Sequence, residues 1–394
     1  MNYDIAPIGL QSMASRVRSV AFGLLAATCV SLSTPTAAVA DPLLEEVVEF
    51  TGNVLYLQHR VPGLVIGAIR NGEVAIHGVG QRADGKEAPN GDTVLRIGSI
   101  TKAFTGQILA QLAVDGTVSL TQTVGATAPD LGSGADPRVA KIRLIDIATQ
   151  SAGLPRELPH EPGTPDNPFA PITREAFADW LKTEKLLYAP GTGVLYSNFA
   201  FDILAIALSE AAKKPYPELL AEHITKPLGM SETTFELTEA QKERLMQGHG
   251  FDGKALPDVP TGEVIVGSGG LYSTPKDLLR WMEWQLDRLG TEDAEARMID
   301  HAAYLVRDGL DPVSGMDESG HMDAMSLGWV VMMPEGDRPL ILQKAGGLQG
   351  TFSYIAFAPA RGVAAFVAIN KFDFTAAMGM AEAINEMIAT LAPR

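Results

Sequence analysis

The sequence predicts a mixed α/β (α+β) fold. One antiparallel sheet is assembled from both ends of the chain and flanked by helices, with a mainly helical segment inserted between its halves. Three observations carry this reading. Short apolar strands bounded by turn residues occur early in the chain and recur near its end. Between them, apolar residues repeat at helical spacing. A final amphipathic stretch closes the chain. Strands from two distant stretches share one sheet when the intervening chain packs as helices beside it.

Residues 41–58 carry Leu44, Val47, Val48, Val54 and Leu55, mostly at helical spacing. Leu64–Ile69 and Val74–Val79 read as two strands joined at Asn71-Gly72, a strong short-range signal for a hairpin. The Gly- and charge-rich stretch 81–92 is a loop. Ile100, Phe104, Ile108 and Leu112 recur every four residues and mark a buried helix face. Proline-dense residues 155–171 read as a long surface loop, and Phe199–Ala212 as a second apolar helix. Leu327–Met333, Leu340–Lys344, Thr351–Ala358 and Val363–Asn370 are the returning strands, and Thr375–Leu391 is the closing helix. The resulting division is a leader at 1–40, a sheet domain at 41–96 with 271–394, and a mainly helical domain at 97–270.

The leader reads as a secretory signal. Arg16 and Arg18 precede an apolar run from Val20 to Val30, and Ala38-Val39-Ala40 places cleavage before Asp41. The run falls short of the roughly 20 residues that span a bilayer, so the mature chain is expected to have no transmembrane segment. Cys29, the one cysteine, lies inside that run. Its removal would exclude disulfides, thiol chemistry and Cys-bound metal from the mature protein. With 394 residues and a net charge of −16, the chain disfavours nucleic acid and anionic lipid as partners.

Three short motifs carry candidate chemistry. Ser99-Ile100-Thr101-Lys102 places a hydroxyl and an amine on one helix face. A serine needs a base beside it, and a lysine serves only when burial or neighbouring cations discharge it. The helix N-terminus adds a backbone N–H suited to an oxyanion. A second Ser-x-x-Lys, Ser273 to Lys276, has a sufficient local explanation. Thr274-Pro275-Lys276-Asp277 is a helix start, with cap, proline and acidic residue in sequence. The same capping explanation is open to Ser99 on its tetrad alone.

Tyr196-Ser197-Asn198 is the sole Tyr-x-Asn of the chain. Asn198 would cap the following helix and Tyr196 pack in the core, or both would serve a site. Beside two lysines, Tyr196 is a candidate for partial ionisation; bringing a phenol from about 10 to about 7 takes roughly 4 kcal/mol. Lys344-Ala345-Gly346-Gly347 is the sole Lys-x-Gly and ends a strand. Small residues there let a substrate backbone pair along the strand edge. No metal or cofactor is expected. There is no Gly-x-Ser-x-Gly elbow and no His-Glu-x-x-His, and His321 with Asp323 reads as a pair of exposed polar residues rather than metal ligands.

In this order, the three motifs resemble those of the penicillin-binding protein and class C β-lactamase-like serine hydrolases. The likeness is greatest to the AmpH-type D-alanyl-D-alanine carboxypeptidase/endopeptidase branch. It extends over Arg96–Lys102, Gly153-Leu154-Pro155-Arg156-Glu157, Tyr196–Asp202, Pro227–Met230, Gly267–Pro275, Leu327-Gly328-Trp329 and Gln343-Lys344. The resemblance implies a β-lactamase/transpeptidase-like fold, a periplasmic location, and peptidoglycan peptides, other small acyl substrates and β-lactams as partners. By position it makes Ser99 the acylated residue, with Lys102 and Tyr196 sharing the proton work. Asn198 would hold the substrate amide and Lys344 the substrate carboxylate. Ser99 and Gly347 would supply oxyanion N–H groups, and Asn370 would lie near the carboxylate. Where the family usually has Thr or Ser, this chain has Ala345. A lost hydrogen bond to a charged group is worth about 1.5–3 kcal/mol, so carboxylate selectivity is open to question. An esterase, a class C-type β-lactamase and a non-catalytic penicillin-binding sensor are the competing expectations.

Overall fold

A computed structural model of the protein describes residues 42–262 and 264–392. The expected signal and its cleavage site lie outside them. Helix α1 spans Pro42–His59. Strands β1 (Gly63–Arg70) and β2 (Glu73–Gly80) follow as a hairpin. Both turn residues, Asn71 and Gly72, have positive φ, as the favoured two-residue hairpin turn requires.

The chain returns to this sheet through β3 (Leu305–Val306), β4 (Ala324–Met325) and β5 (Val330–Met332). It then forms β6 (Ile341–Leu348), β7 (Thr351–Ala358) and β8 (Val363–Ile369). Among the described residues the sheet has eight strands in the order β2-β1-β8-β7-β6-β5-β4-β3, paired antiparallel throughout. The join between the two ends of the chain is β1 on β8, with Val65 opposite Ala368. The expected antiparallel sheet from both termini is therefore observed.

Both faces of the sheet are covered. Leu64, Ile66, Tyr354, Ala365 and Val367 point to one layer, where they pack with α1 and the C-terminal helix α5 (Phe374–Leu391). Val65, Ile355, Phe357 and Phe366 point to the other, under helices α2 (Thr101–Val114) and α4 (Pro275–Leu286). Helix α3 (Asn198–Ala212) packs on α2 in this second layer. The expected helical middle is present, and residues 155–171 contain no regular helix or strand.

Helix α2 differs from its expectation in one respect. Ile100, Phe104, Ile108 and Leu112 are buried, but so is every residue from Thr101 to Leu112. It is a central helix enclosed on all sides. Phe104 stacks on Trp281 of α4 with ring centroids 3.8 Å apart, and Trp281 donates to Gln107 Oε1 at 2.7 Å. Burial of the whole helix also takes Lys102 out of solvent.

Candidate active site

Ser99 sits in a short 3₁₀ turn, Gly98–Ile100, that runs directly into α2. Thr101 Oγ1 donates to Gly98 O at 2.7 Å and braces the turn. Gly98 has φ +51°, and a Cβ there would lie 2.8 Å from Gly347 N. The turn and the upper half of β6 are thus in backbone contact, which only glycine permits. From the β7 side, Ser353 Oγ donates to Ile97 O at 3.2 Å.

Lys102 follows one turn after Ser99 and is fully buried. Its Nζ lies 3.1 Å from Ser99 Oγ, 2.5 Å from Asn198 Oδ1 and 2.7 Å from Ser268 O. Burial, aided by the charges of Lys344 and Arg156, holds its pKa well below the ordinary lysine range, against Asp202 and Glu157. A neutral amine has two N–H groups and one lone pair. Asn198 Oδ1 and Ser268 O can only accept, so they take the two N–H groups. The lone pair is left for the Ser99 hydroxyl.

Asn198 is free for this contact because it is not the helix cap. Ser197 caps α3, accepting from Ala200 N at 3.0 Å. The capping explanation for Asn198 therefore moves one residue upstream. The Asn198 carboxamide bridges Lys102 and Glu157, whose Oε1 accepts from Asn198 Nδ2 at 2.5 Å.

Tyr196 lines the same cleft beside Ser99. Lys102, Arg156 and Lys344 lie 4.9, 4.6 and 4.8 Å from its ring centre. The expected phenolate is not supported. Burial raises the Tyr196 pKa, outweighing the Ser99 hydroxyl and Arg156. The same burial weakens the lysine charges that were to stabilise it: Lys344 is lowered to about 7. Enclosure thus favours the neutral amine of Lys102 and the protonated phenol of Tyr196.

Lys344, Ala345, Gly346 and Gly347 form the β6 side of the cleft. The structure therefore brings together Ser99, Lys102, Tyr196, Asn198, Lys344 and Gly347. It does not bring Asn370 to them. The Asn370 side chain is fully buried elsewhere, accepting from Gly63 N at 2.7 Å and donating to Gln81 O at 3.0 Å. It ties β8 to the start of β1 and the loop after β2, and its amide is buried there rather than in the cleft. The other Ser-x-x-Lys is a helix start as expected: Thr274 Oγ1 accepts from Asp277 N at 3.3 Å.

Three groups at the site had no role in the sequence reading. Glu157 holds Asn198, Ser268 O receives Lys102, and buried Asp202 accepts from Ser268 N at 3.0 Å. Asp202 stands four residues after Asn198 on α3, so the i, i+4 spacing was the available signal. Burial raises its pKa to about 8, against Ser268 and the Lys102 charge.

Residues 37–386 match the β-lactamase family model. The chain belongs to the β-lactamase family. This β-lactamase-family chain is 34% identical over 382 residues to the D-alanyl-D-alanine-carboxypeptidase/endopeptidase AmpH of Escherichia coli K12, covering 93% of this chain and 96% of the relative. It is 24% identical over 348 residues to a β-lactamase of Pseudomonas fluorescens, covering 83% and 94% of the two chains. A solved β-lactamase/D-alanine carboxypeptidase from Yersinia pestis, complexed with citrate, superposes with a TM-score of 0.79 at 36% identity. That match covers 89% of this chain and 98% of the other. The family member described here is thus an AmpH-type homologue and a serine hydrolase on the β-lactamase/transpeptidase fold.

Proposed function

We propose that the protein is an exported, periplasmic DD-peptidase that cleaves D-alanyl-D-alanine termini or cross-links of peptidoglycan peptides through an acyl-Ser99 intermediate, and that β-lactams acylate the same serine. The observation that carries this reading is the placement of Lys102 Nζ between Ser99 Oγ and two acceptor-only oxygens. Neutral Lys102 takes the Ser99 proton as Oγ attacks the D-Ala carbonyl carbon. Backbone N–H groups of Ser99 and Gly347 receive the developing oxyanion. Protonated Tyr196, beside Ser99, hands its proton to the departing nitrogen and is reprotonated from Lys102. The C–N bond breaks, the amine leaves, and water then hydrolyses the ester by the reverse proton route. Lys344 supplies positive charge toward a substrate carboxylate. Export is supported by the Arg16–Ala40 pattern. Among the described residues no helix is long and apolar enough to cross a membrane.

One observation favours a second reading. Ala345 leaves the β6 edge without the hydroxyl that would bind a carboxylate, which suits a serine esterase or a β-lactamase of broader selectivity. The deciding experiment incubates the mature protein with a fluorescent penicillin and maps the adduct by mass spectrometry. D-Ala release from a pentapeptide, ester hydrolysis and β-lactam hydrolysis are followed beside it, with Ser99→Ala as control. An adduct on Ser99 with D-Ala release dominant is expected. An adduct elsewhere, or none, overturns the mechanism. Dominant ester or β-lactam hydrolysis selects the second reading, and a stable adduct without turnover selects a sensor.

A further inference from the structure

Asn198 has two ends that differ only in which atom is nitrogen, and the site fixes which way they point. Its Oδ1 lies 2.5 Å from Lys102 Nζ and its Nδ2 lies 2.5 Å from Glu157 Oε1. Flipping the carboxamide would set its oxygen against an ionised carboxylate and its N–H₂ against the lysine amine. The Glu157 contact would then be lost, because a carboxylate only accepts, and the N–H₂ could meet Lys102 only by taking the lone pair that faces Ser99. The polar contacts of the Asn198 side chain are Lys102 and Glu157, and of the two only Glu157 demands a donor. Ser268 O, by comparison, is a backbone carbonyl with no alternative donor end, and its own residue donates to Asp202.

We propose that Glu157 is a positioning residue for proton transfer at Ser99: its carboxylate locks the Asn198 carboxamide in the orientation that accepts from Lys102, and so directs the Lys102 lone pair at the serine. This rests on the proposed acyl-serine reading. Glu157 touches neither Ser99 nor the reacting bond, and it acts through Asn198. It also acts through charge. Lys102 faces Lys344 from β6 and Arg156 from the 155–157 loop, both of which favour its neutral form. It faces Asp202 from α3 and Glu157 from the loop, both of which favour the ammonium. The aromatic faces of Tyr196 and Phe201 complete its surroundings. Reach and charge are therefore two separable contributions of one exposed side chain.

Two substitutions separate them. Glu157→Gln keeps the reach but removes the charge, and with it the acceptor-only character, since a Gln amide can also donate. Lys102 then loses support for its ammonium, more free base exists at a given pH, and the acid limb of acylation moves to lower pH. Glu157→Asp keeps the charge but is one methylene too short to hold Asn198, so the limb stays in place while the plateau falls. The measurement is the second-order rate of acylation by a fluorescent penicillin from about pH 4 to 9, which reports the free enzyme. The plateau of Glu157→Asp should fall roughly tenfold to a hundredfold, the worth of one charge-assisted hydrogen bond. Melting temperatures should match wild type, since Glu157 is exposed. Glu161→Gln, on the same loop, serves as the unaffected control. If both Glu157 variants keep the wild-type limb and a plateau within about twofold, the proposal is overturned. Ser99→Ala in the same series keeps the two readings apart. If it abolishes acylation while the Glu157 variants are silent, the acyl-serine reading stands and the positioning role alone fails.

Discussion

Lys344 Nζ lies 4.8 Å from the centre of the Tyr196 ring, and both groups are buried beside Ser99. Burial is the largest influence on each, and it favours the neutral form of both, raising the phenol's pKa and lowering the amine's. The phenol is kept protonated, and the Lys344 ammonium loses its proton near pH 7 despite the favourable charge of Glu318.

The first prediction follows from that lysine. Below about pH 7 Lys344 is an ammonium and attracts a substrate carboxylate; above it, the attraction is lost. kcat/KM for a carboxylate-bearing substrate should fall as pH rises through about 7, since this ratio reports the free enzyme. A neutral ester should show no such fall. Parallel profiles for the two substrates would contradict the assignment of Lys344 to the carboxylate.

Ala345 sits between Lys344 and Gly346 at the cleft edge. Ala345→Thr restores a hydroxyl donor beside the expected carboxylate position. The gain is about 1.5–3 kcal/mol for a hydrogen bond to a charged group, roughly tenfold to a hundredfold in kcat/KM. It should appear for anionic substrates and not for neutral esters. Equal changes for both classes would show that position 345 does not read the carboxylate.

Asp202 makes a prediction about stability. In the unfolded chain its carboxyl ionises at about 3.9, whereas in the fold it keeps its proton to about 8. Its folded-state pKa is raised, so its contribution to stability is fully present below about pH 4 and is lost as pH rises to about 8. Asp202→Asn keeps the shape and the oxygen that accepts from Ser268 N, but does not titrate. Calorimetry should show the variant gaining on wild type between about pH 4 and 8, then running parallel. A pH-independent difference would mean that Asp202 is ionised in the fold.

Much of this architecture was legible because its signals are local. The Asn71-Gly72 turn requires positive φ, and the strands 351–358 and 363–369 alternate between two buried layers. Thr274 and Pro275 declared a helix start, which removed Ser273 from contention. What was not legible depended on tertiary burial. Tyr196 beside two lysines suggested a phenolate, but enclosure of the phenol itself raises its pKa. Asn370 follows a strand in the right place for a substrate contact, yet its amide is buried against Gly63 and Gln81. Glu157 belongs to the motif at 153–157, but its role appears only once the loop meets α3 across 41 residues of chain.

The last prediction tests how tightly the strand edge and the serine turn are coupled. A Cβ on Gly346 would lie 2.0 Å from Ile97 O and 3.0 Å from Ser99 N. Both are backbone atoms, so no rotamer change relieves the clash, and β6 must shift away from the 98–100 turn. A displacement of about 1 Å between reacting groups costs on the order of a hundredfold in rate. Gly346→Ala should therefore lower kcat/KM at least that far, for peptide and ester substrates alike. Gly347→Ala is the informative contrast. Its Cβ would meet the Phe372 ring at 3.2 Å, a side chain that can swing aside. Its acylation rate should fall much less than that of Gly346→Ala. Comparable losses in the two variants would mean that the strand edge tolerates no side chain at all, and that the contact with Ile97 is not what places Ser99.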